Sequence, residues 1–172
     1  MTIHSGNLIA NITGGVFTSA IVQYPDDDYP TDSPAAVLAS YIVGALLMSV
    51  PSDDDVWPLY VSTLPEGVDE LGAVFNTTPV KDGRIMDGGD TLQHYGIEIL
   101  IRALTEEVGW GRCVLIAEDL DTIHNETVVR DAVSYQIRNV SRVGGINSLG
   151  QEEGTKRRRL FSINFIMALE EL

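Results

Sequence analysis

Tyr95–Leu104 reads YGIEILIRAL, and Glu107–Ile123 reads EVGWGRCVLIAEDLDTI. These two stretches decide the fold class. In the first, Tyr95, Ile97, Ile99 and Ile101 share one face, the period of two of a strand that buries one side. In the second, Cys113, Ile116, Ala117, Leu120 and Ile123 recur at the spacing of a helix with one buried stripe. A strand that runs directly into an amphipathic helix fixes a sheet with a helix laid on it.

Working outward, Arg158–Leu169 is a second long strand, with Ile163, Phe165, Met167 and Leu169 on one face. Asp131–Ser141 is a third, in which Val133, Tyr135 and Ile137 alternate with Ser134, Gln136 and Arg138. Gly144–Thr155 reads as a Gly-rich hairpin loop between them. Upstream, Val56–Leu64 and Leu71–Asn76 read as strands, and Pro58 suits an edge or a bulge. Residues 77–94 read as one long polar loop. Ser33-Pro34 opens a helix that runs to Ser49, with Ser as N-cap and Pro at the first helical position. That helix is apolar nearly all round and must be covered on more than one side. Pro51 and Asp53-Asp54-Asp55 end it. Residues 1–32 form an N-terminal extension, with a short strand within Gly15–Gln23 and a Pro/Asp-rich loop over Tyr24–Asp32. Strands outnumber helices and do not alternate with them. The expectation is an α+β domain over 33–172: a mostly antiparallel sheet with two main helices packed on one face.

Composition narrows the function. The chain has 172 residues, a net charge of −14 and a single cysteine, Cys113, so no internal disulfide forms. Its charge repels nucleic-acid phosphates and anionic membranes. No basic segment followed by an apolar core opens the chain, so no secretory signal is expected. The longest apolar run, Ala35–Val50, has 16 residues and is broken by Ser40, Tyr41, Gly44 and Ser49. A bilayer span needs about 20, so no membrane association is expected. Only two lysines stand against nine arginines, and Asp (14) outnumbers Glu (11). Short, strongly hydrated carboxylates with few lysines suit a halophilic setting, where charge repulsion is screened within a few Å.

Catalytic patterns are missing. His4, His94 and His124 are not spaced with one another or with Cys113 as zinc ligands are. There is no G-x-S-x-G elbow and no phosphate-binding G-x-x-x-x-G-K-[ST] loop. Gly109-Trp110-Gly111 sits where a dinucleotide fingerprint would, but Val114 replaces its third glycine. The acidic runs Asp26–Asp28 and Asp53–Asp55 and the pair Asp119/Asp121 lack EF-hand spacing and read as a solvated surface. The expectation is a protein that is not an enzyme and takes no cofactor or metal. Lys156-Arg157-Arg158-Arg159 is the one basic block. It suits either an acidic partner or DNA phosphates, or internal pairing with Glu152 and Glu153.

Several short stretches, in order, carry a resemblance: Thr63–Gly67 (TLPEG), Thr77–Arg84 (TTPVKDGR), His94–Arg102 (HYGIEILIR), the helix closing on Asp119-Leu120-Asp121, Leu149–Glu153 (LGQEE) and Arg159–Phe165 (RLFSINF). From Trp57 to Leu172 the chain resembles the tail-terminator proteins of long-tailed bacteriophages and related archaeal tailed viruses. These are also called tail-completion or minor capsid proteins. Residues 1–32 have no counterpart in the resemblance.

The resemblance implies a virion structural protein made in the host cytoplasm and located in the tail or neck. It implies a homohexameric ring that caps the tail-tube protein, ends tube polymerisation and meets a head-completion or neck protein. Genomic DNA would pass through the lumen without specific binding. A neck or head-closure connector is the alternative, followed by a small ligand-binding or enzymatic domain. Partner-interface candidates are Arg84, Arg102, Lys156, Arg157, Arg158 and Arg159, with the Pro34–Ser49 helix and the 77–94 loop as interface elements.

Overall fold

A computed structural model describes residues 9–13, 16–20, 30–52, 56–78, 80–81, 93–154 and 157–172. Two strands, β1 (Ile9–Thr13) and β2 (Val16–Ala20), form a separate antiparallel hairpin. The main body is α1 (Pro34–Gly44), β3 (Leu59–Val61), β4 (Leu71–Asn76), β5 (Val80–Lys81), β6 (Gln93–Ala103), α2 (Glu106–Leu120), β7 (His124–Arg130), β8 (Val133–Gln151) and β9 (Arg159–Glu171). Six of its strands follow the order β3-β4-β6-β9-β8-β7, and β5 pairs with β6 beyond the end of β4.

The fold is α+β with two helices, as expected, but the sheet is mixed. β3 and β4 run parallel, with Leu59 opposite Gly72, while the other described pairs are antiparallel. In sequence, Val56–Leu64 reads as one strand. Only Leu59–Val61 forms a strand, between Trp57 (φ 63°) and Ser62 (φ 57°), left-handed residues that turn the chain at either end.

Register explains the core. Ile97, Ile99 and Ile101 of β6 lie opposite Phe165, Ile163 and Phe161 of β9, all on one face and all buried. Cys113, Ile116, Ala117, Leu120 and Ile123 cover this face and are buried, as their spacing predicted. Gly109 is what lets α2 come so close. A Cβ there would lie 2.3 Å from the Phe161 ring. The Gly109-Trp110-Gly111 stretch is therefore inside a helix and serves packing, whereas Gly111 faces open space.

The first helix begins as read: the Ser33 side chain accepts from the Ala36 N–H at 3.2 Å. It stops five residues earlier than expected. Leu46 takes φ 59°, its N–H donates to the Val43 carbonyl, and the Leu47 N–H donates back to the Ile42 carbonyl. This is a Schellman cap, with Leu at the left-handed position that glycine usually fills. Ala35–Ala39 and Ile42 are buried by the chain's own sheet. The helix was expected to serve as an interface; its apolar girdle is instead used up inside the subunit.

Two further expectations change. β7 was not foreseen as a strand. It turns into β8 through Asp131 and Ala132, both at positive φ, a two-residue hairpin without the usual glycine. And the Gly-rich stretch after Ser141 is not a loop. It continues β8 and pairs with β9 to Gln151, with register shifts at Val143/Asn147 and Ser148/Gly150. Gly144 (φ 79°) and Gly150 (φ 86°) take up those shifts as bulges.

Two substitutions test the helix-to-sheet contact. Gly109→Ala should destabilise the fold by about 1–3 kcal/mol through overpacking on Phe161. Gly111→Ala should stabilise it by about 0.5–1 kcal/mol through helix propensity alone. Chemical denaturation of both variants reads the difference in sign.

Candidate functional site

Each candidate residue takes its setting from the fold. Arg84 and Lys156, the runs Asp26–Asp28 and Asp53–Asp55, and most of the 77–94 loop lie outside the described residues.

Arg102 sits on β6 on the face away from the helices, and it is only 1% exposed. Its guanidinium donates to the Pro65 carbonyl, to the Val68 carbonyl at 3.0 Å and to the Glu152 carboxylate. Residues 62–70 must carry the chain back so that β4 can run parallel to β3. Two carbonyls of this segment, Pro65 and Val68, are partly buried and need donors, which Arg102 supplies. Arg102 was expected at a partner contact. Its burial corrects that: it is an internal clasp.

Arg158 completes the clasp. It donates to the Glu66 carbonyl and to Asp69 at 2.7 Å, and lies 3.8 Å from Glu152. Arg159 pairs with Glu106 at the start of α2, at 3.0 Å. The described part of the basic block is thus largely spent inside the subunit, on Asp69 and Glu106 more than on the neighbouring glutamates. Arg157 is exposed and bonds to no other described residue.

Between β6 and β9 the same face carries a polar ladder. The Ser162 hydroxyl donates to Glu98 at 2.8 Å, and the Asn164 amide donates to Ser162 at 3.4 Å. Sequence reading missed this ladder because each member is an ordinary polar residue on the even positions of its strand.

A second surface was also missed. Val108, Gly111, Arg112 and Leu115 form a helical stripe along α2, and with Trp57 they line an open depression of about 230 Å³. Arg112 stacks over the Trp57 ring at 4.7 Å and donates to the Leu47 carbonyl at 2.7 Å. Partial burial lowers the pKa of its guanidinium. Val108, Trp110 and Leu115 are exposed, and Leu46, beside the Leu47 that anchors Arg112, is 89% exposed. The signal was in the sequence, in apolar residues on the helix face opposite the core stripe. The stronger stripe through Cys113 masked it.

Burial pushes the Cys113 thiol up to about 12, far from a nucleophile's range. Asp121 is bound to Arg142 at 3.1 Å. Burial, with Asp119 nearby, raises the Tyr41 phenol. Among the described residues no cluster of His, Cys, Asp and Glu could hold a metal ion, and no helix is long and apolar enough to cross a membrane.

No family model matches the sequence. No curated protein matches it either. One solved structure, whose name states no activity or source, is similar at 11% identity with a TM-score of 0.40, over 78% of this chain and 89% of that one. A likeness of that degree decides nothing about function.

Arg102→Ala should cost about 3 kcal/mol, because it strips donors from two partly buried carbonyls and takes the buried partner from Glu152. Arg157→Ala should change stability by less than about 0.5 kcal/mol. Urea unfolding of the two variants separates the clasp from the free surface.

Proposed function

We propose that this protein is a virion assembly subunit that forms a ring on the end of a tail tube, stops tube growth and joins the tail to the head or neck. The observation that carries the reading is the α2 contact surface. Exposed Val108 and Leu115, on one face of α2, and the stacked Arg112–Trp57 corner beside them offer an apolar patch on an otherwise acidic subunit. Apolar patches rimmed by polar residues mark protein contacts, and aromatic and Arg anchors concentrate binding energy. Three of the six stretches that carry the resemblance to tail terminators fall on β6, the end of α2 and β9, at the centre of the sheet and its covering helix.

A ring of identical subunits needs a heterologous contact, in which one patch meets a different patch on the neighbour and the rotation closes. Capping then follows if one ring face complements the tube and the other does not template another tube ring. A lumen that carries DNA benefits from the charge of −14, since repulsion prevents sticking. The same charge opposes assembly at low ionic strength, so a salty environment is part of the proposal.

Mass measurement of the full chain in low and in molar salt, followed by imaging, tests the ring. A six-fold ring in molar salt that joins purified tail tubes is the expected result. A monomer under all conditions that ignores tail tubes defeats it, and binding to portal or neck preparations but not to tubes favours the connector reading. Molar salt should also raise the Tm. A Tm that falls with salt removes the halophilic part of the proposal.

A further inference from the structure

β8 is longer than its neighbour on one side. β9 pairs with it as far as Gln151, but β7 pairs with it only from Val133 to Asn139. From Ser141 to Leu149 the other edge has no strand beside it among the described residues. This edge is open: Val143 is 47% and Leu149 54% exposed, and Ser141 to Gly145 and Asn147 to Leu149 are all exposed. An edge of this kind presents unpaired N–H and C=O groups and invites strand addition. The bulge at Gly144–Ile146 divides it into two short runs, which suit short incoming strands.

The chain also contains strands that lack a sheet. β1 and β2, five residues each, pair with one another and with no other described strand. A lone two-stranded hairpin is marginal in water.

Charge favours bringing the two together. Residues 5–25 and 143–151 carry no Asp, Glu, Lys or Arg in a chain of net charge −14, and the one charge on the edge, Arg142, is paired with Asp121 at 3.1 Å. Two copies repel one another over most of their surfaces, and these segments are where approach costs least. The tether allows it. Thr31 is anchored to Glu171 at 2.7 Å, beside the start of β8, and the ten residues between Ala20 and Thr31 reach about 35 Å when extended. That length also reaches the chain's own edge, yet within one copy the hairpin and the edge remain unjoined.

We infer that the β1–β2 hairpin of one copy adds to the open β8 edge, Ser141–Leu149, of a second copy. The contact extends the β3-to-β7 sheet across the subunit boundary through backbone hydrogen bonds. It needs only two copies and does not depend on the tail reading.

The test uses full-length variants in molar salt. Copies carrying Thr18→Cys are mixed with copies carrying Ser148→Cys and oxidised; Cys113 is buried and does not compete. Disulfide-linked heterodimers are expected. In parallel, Phe17→Asp in the hairpin and Leu149→Lys on the edge should each weaken self-association about tenfold or more, with circular dichroism unchanged. A double Thr18→Cys/Ser148→Cys chain that cross-links only within itself overturns the inference in favour of self-docking. Unchanged self-association in both charge variants overturns it while leaving the ring proposal intact. A wild-type chain that is monomeric at every salt concentration overturns both.

Discussion

Everything in the main body depends on α1 being held between the two ends of the sheet. At one end, the Asn76 side chain of β4 accepts from the Ala35 N–H at 2.9 Å, inside the first turn of the helix. At the other, the Tyr135 hydroxyl of β8 donates to Asp32 at 2.9 Å, and Arg130 of β7 reaches Asp32 at 3.1 Å and Ser40 at 3.3 Å. The helix packs against β3, β4, β6 and β7, so the sheet must curl until both ends meet it. A helix apolar nearly all round has no other stable place in water. Burial and the bond to Asp32 raise the Tyr135 phenol above its ordinary range.

Strong periodicity made much of this legible. Tyr95–Leu104, Glu107–Ile123 and Arg158–Leu169 became β6, α2 and β9 with little change, because each buries one face at a regular spacing. Failures occurred where backbone conformation overrode pattern. Leu46 ends a helix that composition would have continued, and Asp131-Ala132 make a tight hairpin without a glycine to announce it. The glycines of 144–150 mark bulges inside a strand, and in sequence bulge glycines look like loop glycines. The parallel β3–β4 pair was unreadable for a different reason. Its crossover rests on donors from Arg102 and Arg158, about 35 and 90 residues away in sequence.

The surfaces were less legible than the core. Charge counting picked out the basic block, but position in the fold decides which cations are free. Arg102, Arg158 and Arg159 turn inward or onto neighbours, while Arg112, which looked ordinary in sequence, stacks on Trp57 beside exposed Val108 and Leu115. The sheet edge left open by the short β7 could be found only once the pairing was known, since openness belongs to the partner strand's length as much as to β8 itself.

The Arg102 clasp also separates two responses to salt. At 1% exposure the Arg102 guanidinium is screened far less than a surface charge in its contacts with Pro65, Val68 and Glu152. The carboxylates outside are fully within reach of counterions. Ionic strength can therefore regulate how closely two subunits approach without loosening the crossover that sets strand order. In effect the molecule has a tunable exterior around a buried Arg102 that salt screens much less.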